Sequence, residues 1–133
     1  MEKYLLAVQS DESAPSPPDA ELRERMVRTD QVTAEMRAAG SWVFAGGLLP
    51  SYASTVVRPG NGTSTMTDGP FAGTNEQLGG FWVVQCEDLD QALAWAEKCA
   101  LACGAPIEVR PFRDGPPGSA VVFVRSPSWP GAR

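Results

Sequence analysis

The pattern of apolar and polar positions along the chain predicts four core strands, two helices and one hairpin. Short apolar runs at 3–9, 42–48, 80–86 and 107–112 have the length and composition of strands. The segments 54–58 and 64–67 flank a glycine-rich turn and are typical of a hairpin. In chain order these elements give a βαββαβ pattern with an inserted hairpin.

The first helix is predicted over residues 18–39. Its inner positions recur three and four residues apart, so they form one stripe that should cover a face of the sheet. The stripe consists of Leu22, Met26, Thr29, Thr33 and Met36. Gly40 follows the expected helix end, where a left-handed residue is favoured.

The second helix is predicted to begin with a capping box formed by Asp88 and Gln91 and to end at Gly104 and Pro106. Its inner face should carry Leu89, Ala92, Leu93, Ala96, Cys99 and Cys103. We interpret the two cysteines as core filling. A zinc site is disfavoured because the chain has no histidine and no third thiolate close by in sequence.

Alternation assigns the side chains of two strands to opposite faces of the sheet. In 42–48, Trp42, Phe44 and Gly46 should face away from Val43, Ala45 and Gly47. In 80–86, Phe81, Val83 and Gln85 should face away from Trp82, Val84 and Cys86. The pair Gly46-Gly47 either admits a ligand to the backbone or marks a bulge without function, and both interpretations remain open.

Length and charge narrow the class of protein. The 133 residues fit one domain, and the net charge of -5 argues against a nucleic-acid surface. No apolar run approaches the length needed to span a bilayer, and the three cysteines fit reduced thiols, so we expect a cytoplasmic protein. The absence of histidine excludes His-dependent nucleophile systems and an imidazole base.

The stretch 67–84 is the predicted site, because a polar, glycine-punctuated loop there runs directly into an apolar strand. Gly69, Pro70 and Gly73 should give the backbone a tight course. The same loop brings Asp68, Asn75, Glu76 and Gln77 beside Phe71 and Trp82. An ordinary Asp-Gly turn with solvated acids is the competing interpretation.

The motif Thr67-Asp68-Gly69-Pro70-Phe71, followed by Glu76-Gln77-Leu78-Gly79-Gly80-Phe81, resembles the signature of the YCII-related family, in the branch named after its DGPF motif. Further similarity lies in Lys3-Tyr4-Leu5-Leu6, in 87–93 and in 107–111. The resemblance implies an α+β, ferredoxin-like domain over 1–113 that pairs into a dimeric α/β barrel. The His-Asp pair associated with the wider family is not matched here.

Two functions follow from the site and the resemblance. As a proton-transfer enzyme (a lyase, isomerase or cyclase), the protein would use Asp68 first and Glu76 second as acid or base. The substrate-binding candidates are Trp42, Tyr52, Phe71, Gln77, Trp82 and Arg110. Alternatively it is a non-catalytic ligand-binding or regulatory protein, because similar DGPF-type proteins are often encoded beside extracytoplasmic-function sigma factors. Neither function calls for a cofactor or a metal.

A homodimer is also predicted from packing. A four-stranded sheet with both helices on one face leaves its other face uncovered, and a second copy would bury it. Residues 114–133 form a C-terminal extension with a β-type run from Ala120 to Arg125, and we expect it to dock on the dimer or the sheet edge.

Overall fold

The computed structural model describes residues 1–113, and the predicted docking of 114–133 lies outside these residues. Within this part of the chain, eight helices and strands follow one another, with a short 3₁₀ turn at Ser51–Ala53. They are β1 (Glu2–Asp11), α1 (Asp19–Ala38), β2 (Trp42–Gly47), β3 (Thr55–Pro59), β4 (Ser64–Asp68), β5 (Glu76–Cys86), α2 (Leu89–Cys103) and β6 (Ile107–Pro111).

Four strands form one antiparallel sheet in the order β2-β5-β1-β6, and β3 pairs with β4 in a separate two-stranded sheet. With the β3–β4 hairpin set aside, the sheet and the two helices give the βαββαβ arrangement of a ferredoxin-like α+β fold. The predicted fold class and inserted hairpin are therefore confirmed. Neither helix is both long and apolar enough to cross a bilayer.

The core lies between the two helices and one face of the sheet. Its members come from β1, β5, α1 and α2, and those from the strands alternate along the chain as sheet geometry requires. They are Tyr4, Leu6, Val32, Met36, Trp82, Val84, Cys86, Ala92, Ala96, Cys99 and Ala102. Burial raises the pKa of Cys99 to about 12, so this thiol is a neutral core group, as predicted. Cys103 is half-buried and packs against the same core.

The helix α1 packs less completely than its stripe predicts. Only Val32 and Met36 are buried, whereas Leu22 and Met26 remain 40% and 63% exposed. Val32 was not part of the predicted stripe. The stripe does mark a sheet-facing side, since Thr33 accepts a hydrogen bond from the indole of Trp82. Only the C-terminal half of α1 reaches the core, so the prediction for its first turns was wrong.

The ends of α2 follow their sequence signals. Asp88 accepts a hydrogen bond from the backbone N–H of Gln91 at 3.0 Å, and the Gln91 side chain accepts one from the N–H of Glu87. Gly104 adopts the left-handed conformation with φ 64°. On the inner face, however, Leu89 and Leu93 are nearly half exposed and Ala102 is buried in their place. The helix is therefore rotated slightly from the predicted orientation.

Two strands differ from their predicted course. In β2 the register shifts between Trp42, which pairs with Val84, and Phe44, which pairs with Val83. This bulge places the two aromatic residues on opposite faces, so the predicted alternation was wrong there. β5 begins at Glu76 rather than at 80, because residues 76–78 pair with the end of β1. Its predicted alternation from Phe81 to Cys86 is confirmed by the burial pattern.

Candidate functional site

The turn after β4 is held tightly against the start of β3. The backbone N–H of Gly69 donates to the Ser54 carbonyl at 2.9 Å, and Asp68 pairs with Thr55 as the last residue of the hairpin. A Cβ atom on Gly69 would lie 2.1 Å from Ser54 Oγ and 3.3 Å from the Ser54 carbonyl oxygen. The peptide bond between Gly69 and Pro70 is cis. Because the turn lies so close to Ser54, only glycine fits at position 69 without a shift of the neighbouring atoms.

Side-chain hydrogen bonds close the rest of the loop. The Gln77 amide donates to the carbonyl oxygens of Ala72 and Thr74, at 2.7 and 2.9 Å. The backbone N–H of Glu12 donates to the Asn75 carbonyl at 2.8 Å and ties the loop to the end of β1. These bonds give 71–77 a defined conformation, and they assign Gln77 a structural role in addition to any contact with a ligand.

A cavity of about 510 Å³ opens between this loop and the segment that connects β2 to β3. Its walls are mostly apolar, with hydroxyl groups from the connecting segment on one side. The lining residues are Leu48, Leu49, Pro50, Ser51, Ala53, Ser54, Thr55, Val56, Pro70, Phe71, Gln77 and Leu78. We call this the loop cavity. Its volume falls within the range of about 300–1,000 Å³ that small-molecule sites occupy.

Two charged residues near the loop cavity were missed by sequence reasoning. The guanidinium of Arg58 lies 5.5 Å from the centre of the Phe71 ring and donates to the Thr67 hydroxyl. The carboxylate of Glu12 accepts hydrogen bonds from the backbone and hydroxyl of Ser51. Neither residue belongs to a motif. Arg58 reaches Phe71 because β3 pairs with β4, and Glu12 reaches Ser51 because the β2–β3 connection lies beside the end of β1.

The predicted site residues fall into three groups. Phe71 and Gln77 line the loop cavity, and Asp68 adjoins it at the turn but is not among the lining residues. Tyr52 is 81% exposed on the 3₁₀ turn. Glu76 lies at the end of the loop, next to Gln77, but is not among the lining residues. The remaining candidates are away from the loop: Trp42 and Trp82 on the helix side of the sheet, and Arg110 in β6.

Two acidic residues, Asp11 and Glu76, are solvent-exposed at the end of the sheet next to the loop. Glu76 pairs across β5 and β1 with Asp11, so two carboxylates stand opposite each other. The hydroxyl and backbone N–H of Ser13 hydrogen-bond to Asp11 and lower the pKa of that carboxyl. Asp11 is therefore ionised at neutral pH, which places a negative charge opposite Glu76.

The face of the sheet that the helices leave uncovered carries an apolar centre within residues 1–113. Strand pairing sets Phe44, Val83 and Leu5 in one row, and Phe81 and Ala7 in the next. The rings of Phe44 and Phe81 lie 5.8 Å apart at an angle of 47°. We call this surface the open face. Along its β6 edge, Arg110 pairs with Glu108 at 3.1 Å.

Comparison with known proteins identifies relatives over nearly this whole region. The family model for the YCII-related domain matches residues 1–114. An uncharacterised protein of Rhizobium meliloti (strain 1021) is 35% identical over 118 residues, which is 86% of this chain and 95% of that protein.

Proposed function

The chain belongs to the YCII-related family, and from that premise we propose that it is a cytoplasmic homodimer that binds a small molecule in the loop cavity. The observation that carries this proposal is the cavity itself, a mostly apolar pocket beside a turn fixed by Gly69 and by the Gln77 hydrogen bonds. The turn also supports placing the chain in the DGPF-motif branch. The three free thiols, Cys86, Cys99 and Cys103, support a reducing compartment.

The open face supports the homodimer. Phe44 is 55% exposed, and the neighbouring Phe81 and Val83 are only half-buried. Contiguous apolar patches of this kind mark interaction surfaces. The ion pair between Arg110 and Glu108 would lie at the rim of such an interface, where charged residues are common.

The lining of the loop cavity favours ligand binding without chemistry over proton transfer. None of its lining residues, all within the described part of the chain, has an ionisable side chain. A proton-transfer reaction would require Asp68 to reach a bound substrate from the adjoining turn. We therefore place the non-catalytic function first, and the regulatory link to a sigma factor rests on the resemblance alone.

The test is a screen of pooled metabolites for binding and turnover by the full-length protein. A ligand of the loop cavity should bind about tenfold more weakly to Phe71→Ala, because the variant removes an aromatic wall. Leu101→Ala is the matched control, since Leu101 is equally exposed but lies on α2. Binding that Phe71→Ala leaves unchanged would contradict the proposal.

Asp68→Asn separates the two functions. Binding without turnover that this variant leaves intact supports the non-catalytic function. Turnover by the wild type that is lost in Asp68→Asn, while the ligand still binds, would establish the enzyme instead. Circular dichroism of the variant distinguishes a lost reaction from a lost fold.

A further inference from the structure

A second cavity, of about 340 Å³, lies on the helix side of the sheet and shares no lining residue with the loop cavity. Its floor is main chain from β2 and β5, at four glycines. The opposite wall comes from one turn of α1. The glycines are Gly46, Gly47, Gly79 and Gly80, and the α1 residues are Thr29, Asp30 and Thr33. Gly47 follows Ala45 on the helix side of β2, and a Cβ atom added to Gly47 would meet nothing within 4 Å. The space above this floor is therefore open. We call it the helix cleft.

The helix cleft exists because α1 packs on the sheet only along its C-terminal half. Thr29 and Thr33 line the cleft, and Leu22 and Met26 share their side of the helix but are largely exposed. An amphipathic helix normally buries such a stripe. Here Leu22 and Met26 remain partly exposed beyond the cleft, and α1 contributes only Thr29, Asp30 and Thr33 to its lining.

The polar groups of the cleft are complementary to a hydrogen-bond donor with a positive charge. The indole N–H of Trp82 donates to Thr33 Oγ at 3.1 Å, and the Thr29 hydroxyl donates to the Met26 carbonyl at 3.0 Å. The Thr29 oxygen therefore keeps lone pairs that can accept a further hydrogen bond. The exposed side chain of Asp30 contributes the cleft's carboxylate, and within residues 1–113 this carboxylate has no hydrogen-bond or ion-pair partner.

Two arginines, Arg25 and Arg28, lie close to Cys103 at the edge of the cleft, and the buried Nε of Arg25 has no hydrogen-bond partner within residues 1–113. Arg25 pairs with Glu21 at 3.1 Å, and Arg28 donates to the Ala102 carbonyl at 3.3 Å while lying 3.9 Å from Glu24. Within residues 1–113 neither arginine forms an ion pair with Asp30. The net charge of -5 adds a long-range attraction for cations.

We propose that the helix cleft binds a small organic amine with an apolar or aromatic body. Its ammonium group donates to the Asp30 carboxylate and the Thr29 hydroxyl, and its body lies over the Gly46-Gly47 floor against Trp82. Close approach to the backbone is possible there because glycine has no side chain. The proposal is independent of the function assigned to the loop cavity.

The experiment follows the indole N–H resonance of Trp82 in the full-length protein during titration with benzylamine. Trp82→Phe assigns this signal among the four tryptophans. Benzyl alcohol and benzoate are the neutral and anionic probes of similar shape. We expect benzylamine to shift the Trp82 signal saturably and benzyl alcohol to bind about tenfold more weakly, because it lacks the charge-assisted hydrogen bond.

Variants locate the site. Asp30→Asn should abolish the preference for benzylamine over benzyl alcohol, whereas Asp19→Asn, on the exposed first turn of α1, should preserve it. Gly47→Val should block all probes by filling the cleft, and it serves as the second variant should Asp30→Asn fail to fold. Phe71→Ala should leave the Trp82 shift unchanged, which separates this site from the loop cavity.

Three results would overturn the proposal. Benzyl alcohol or benzoate could bind as tightly as benzylamine, and benzoate binding would indicate that Arg25 and Arg28 set the charge preference. Asp30→Asn could retain the preference for the amine. Finally, benzylamine could leave the Trp82 signal unshifted at millimolar concentration.

Discussion

Gly69 is required because Ser54 leaves no room for a side chain, and not because its backbone has a positive φ. Only Gly40, Gly62 and Gly104 have positive φ within residues 1–113. A Cβ on Gly69 would instead collide with Ser54, much as one on Gly79 would lie 2.0 Å from Ser10 Oγ. A glycine in a sequence usually indicates a flexible backbone. At these two positions it is the missing side chain that matters, because it lets Gly69 lie against Ser54 and Gly79 against Ser10. The loop cavity depends on this contact because Ser54 and Pro70 both line it.

Gly69→Ala should therefore lower the free energy of unfolding by about 1–3 kcal/mol, the range typical of an inserted methyl group in a tight contact. Rotating the Ser54 hydroxyl cannot relieve the clash fully, since Ser54 Cβ and the carbonyl oxygen would remain 3.1 and 3.3 Å away. Gly73→Ala is the control: its Cβ meets nothing within 4 Å. Urea unfolding at fixed protein concentration measures both, and equal stability of the two variants would contradict the steric argument.

At the scale of elements, the sequence predicts what local chemistry determines. The caps of α2, the left-handed Gly40 and Gly104 and the hairpin all depend on residues close together in the chain, and all are present. The incomplete packing of the first turns of α1 was not predicted. It depends on how much of the helix lies over the sheet, which is a property of the tertiary structure. Periodicity gives the orientation of a stripe but not whether a partner covers it.

The same limit applies to the predicted site. A bulge in β2 shifts Trp42 to the helix side, where the Arg37 guanidinium lies 4.1 Å from the centre of its ring. Such a bulge is a property of the pairing with β5 and is not apparent in an alternating sequence. Phe71 and Gln77, which belong to one continuous motif, do meet at the loop cavity. Candidates drawn from separate strands, such as Trp82 and Arg110, lie elsewhere.

The cap of α2 offers a test at this scale. Asp88→Ala removes the side-chain acceptor for the Gln91 N–H and should lower the free energy of unfolding by about 1 kcal/mol. Asp90→Ala removes a carboxylate from the same first turn but no capping bond, so it should cost less. Urea unfolding followed by circular dichroism compares the two, and a larger loss for Asp90→Ala would contradict the assigned cap.

At the scale of the whole molecule, the two faces of the central sheet differ in what covers them. One is covered by helices, and the other presents an apolar centre spanning β2, β5 and β1. Scattered exposed residues such as Leu101, 75% exposed on α2, are normal on a protein surface. The open face differs because strand pairing makes its apolar residues contiguous. A second copy could bury this centre without covering the helix cleft, which lies on the opposite face of the sheet.

Phe44→Asp tests whether the open face is the dimer interface. Because Phe44 is 55% exposed in the single subunit, the change should leave each subunit folded while placing a charge within the apolar surface, on its β2 side. Light scattering should give twice the subunit mass for the wild type and the single mass for the variant. Leu101→Asp introduces the same charge on the helix layer and should remain dimeric. A wild-type monomer, or dissociation by Leu101→Asp alone, would show that the open face is not where two copies meet.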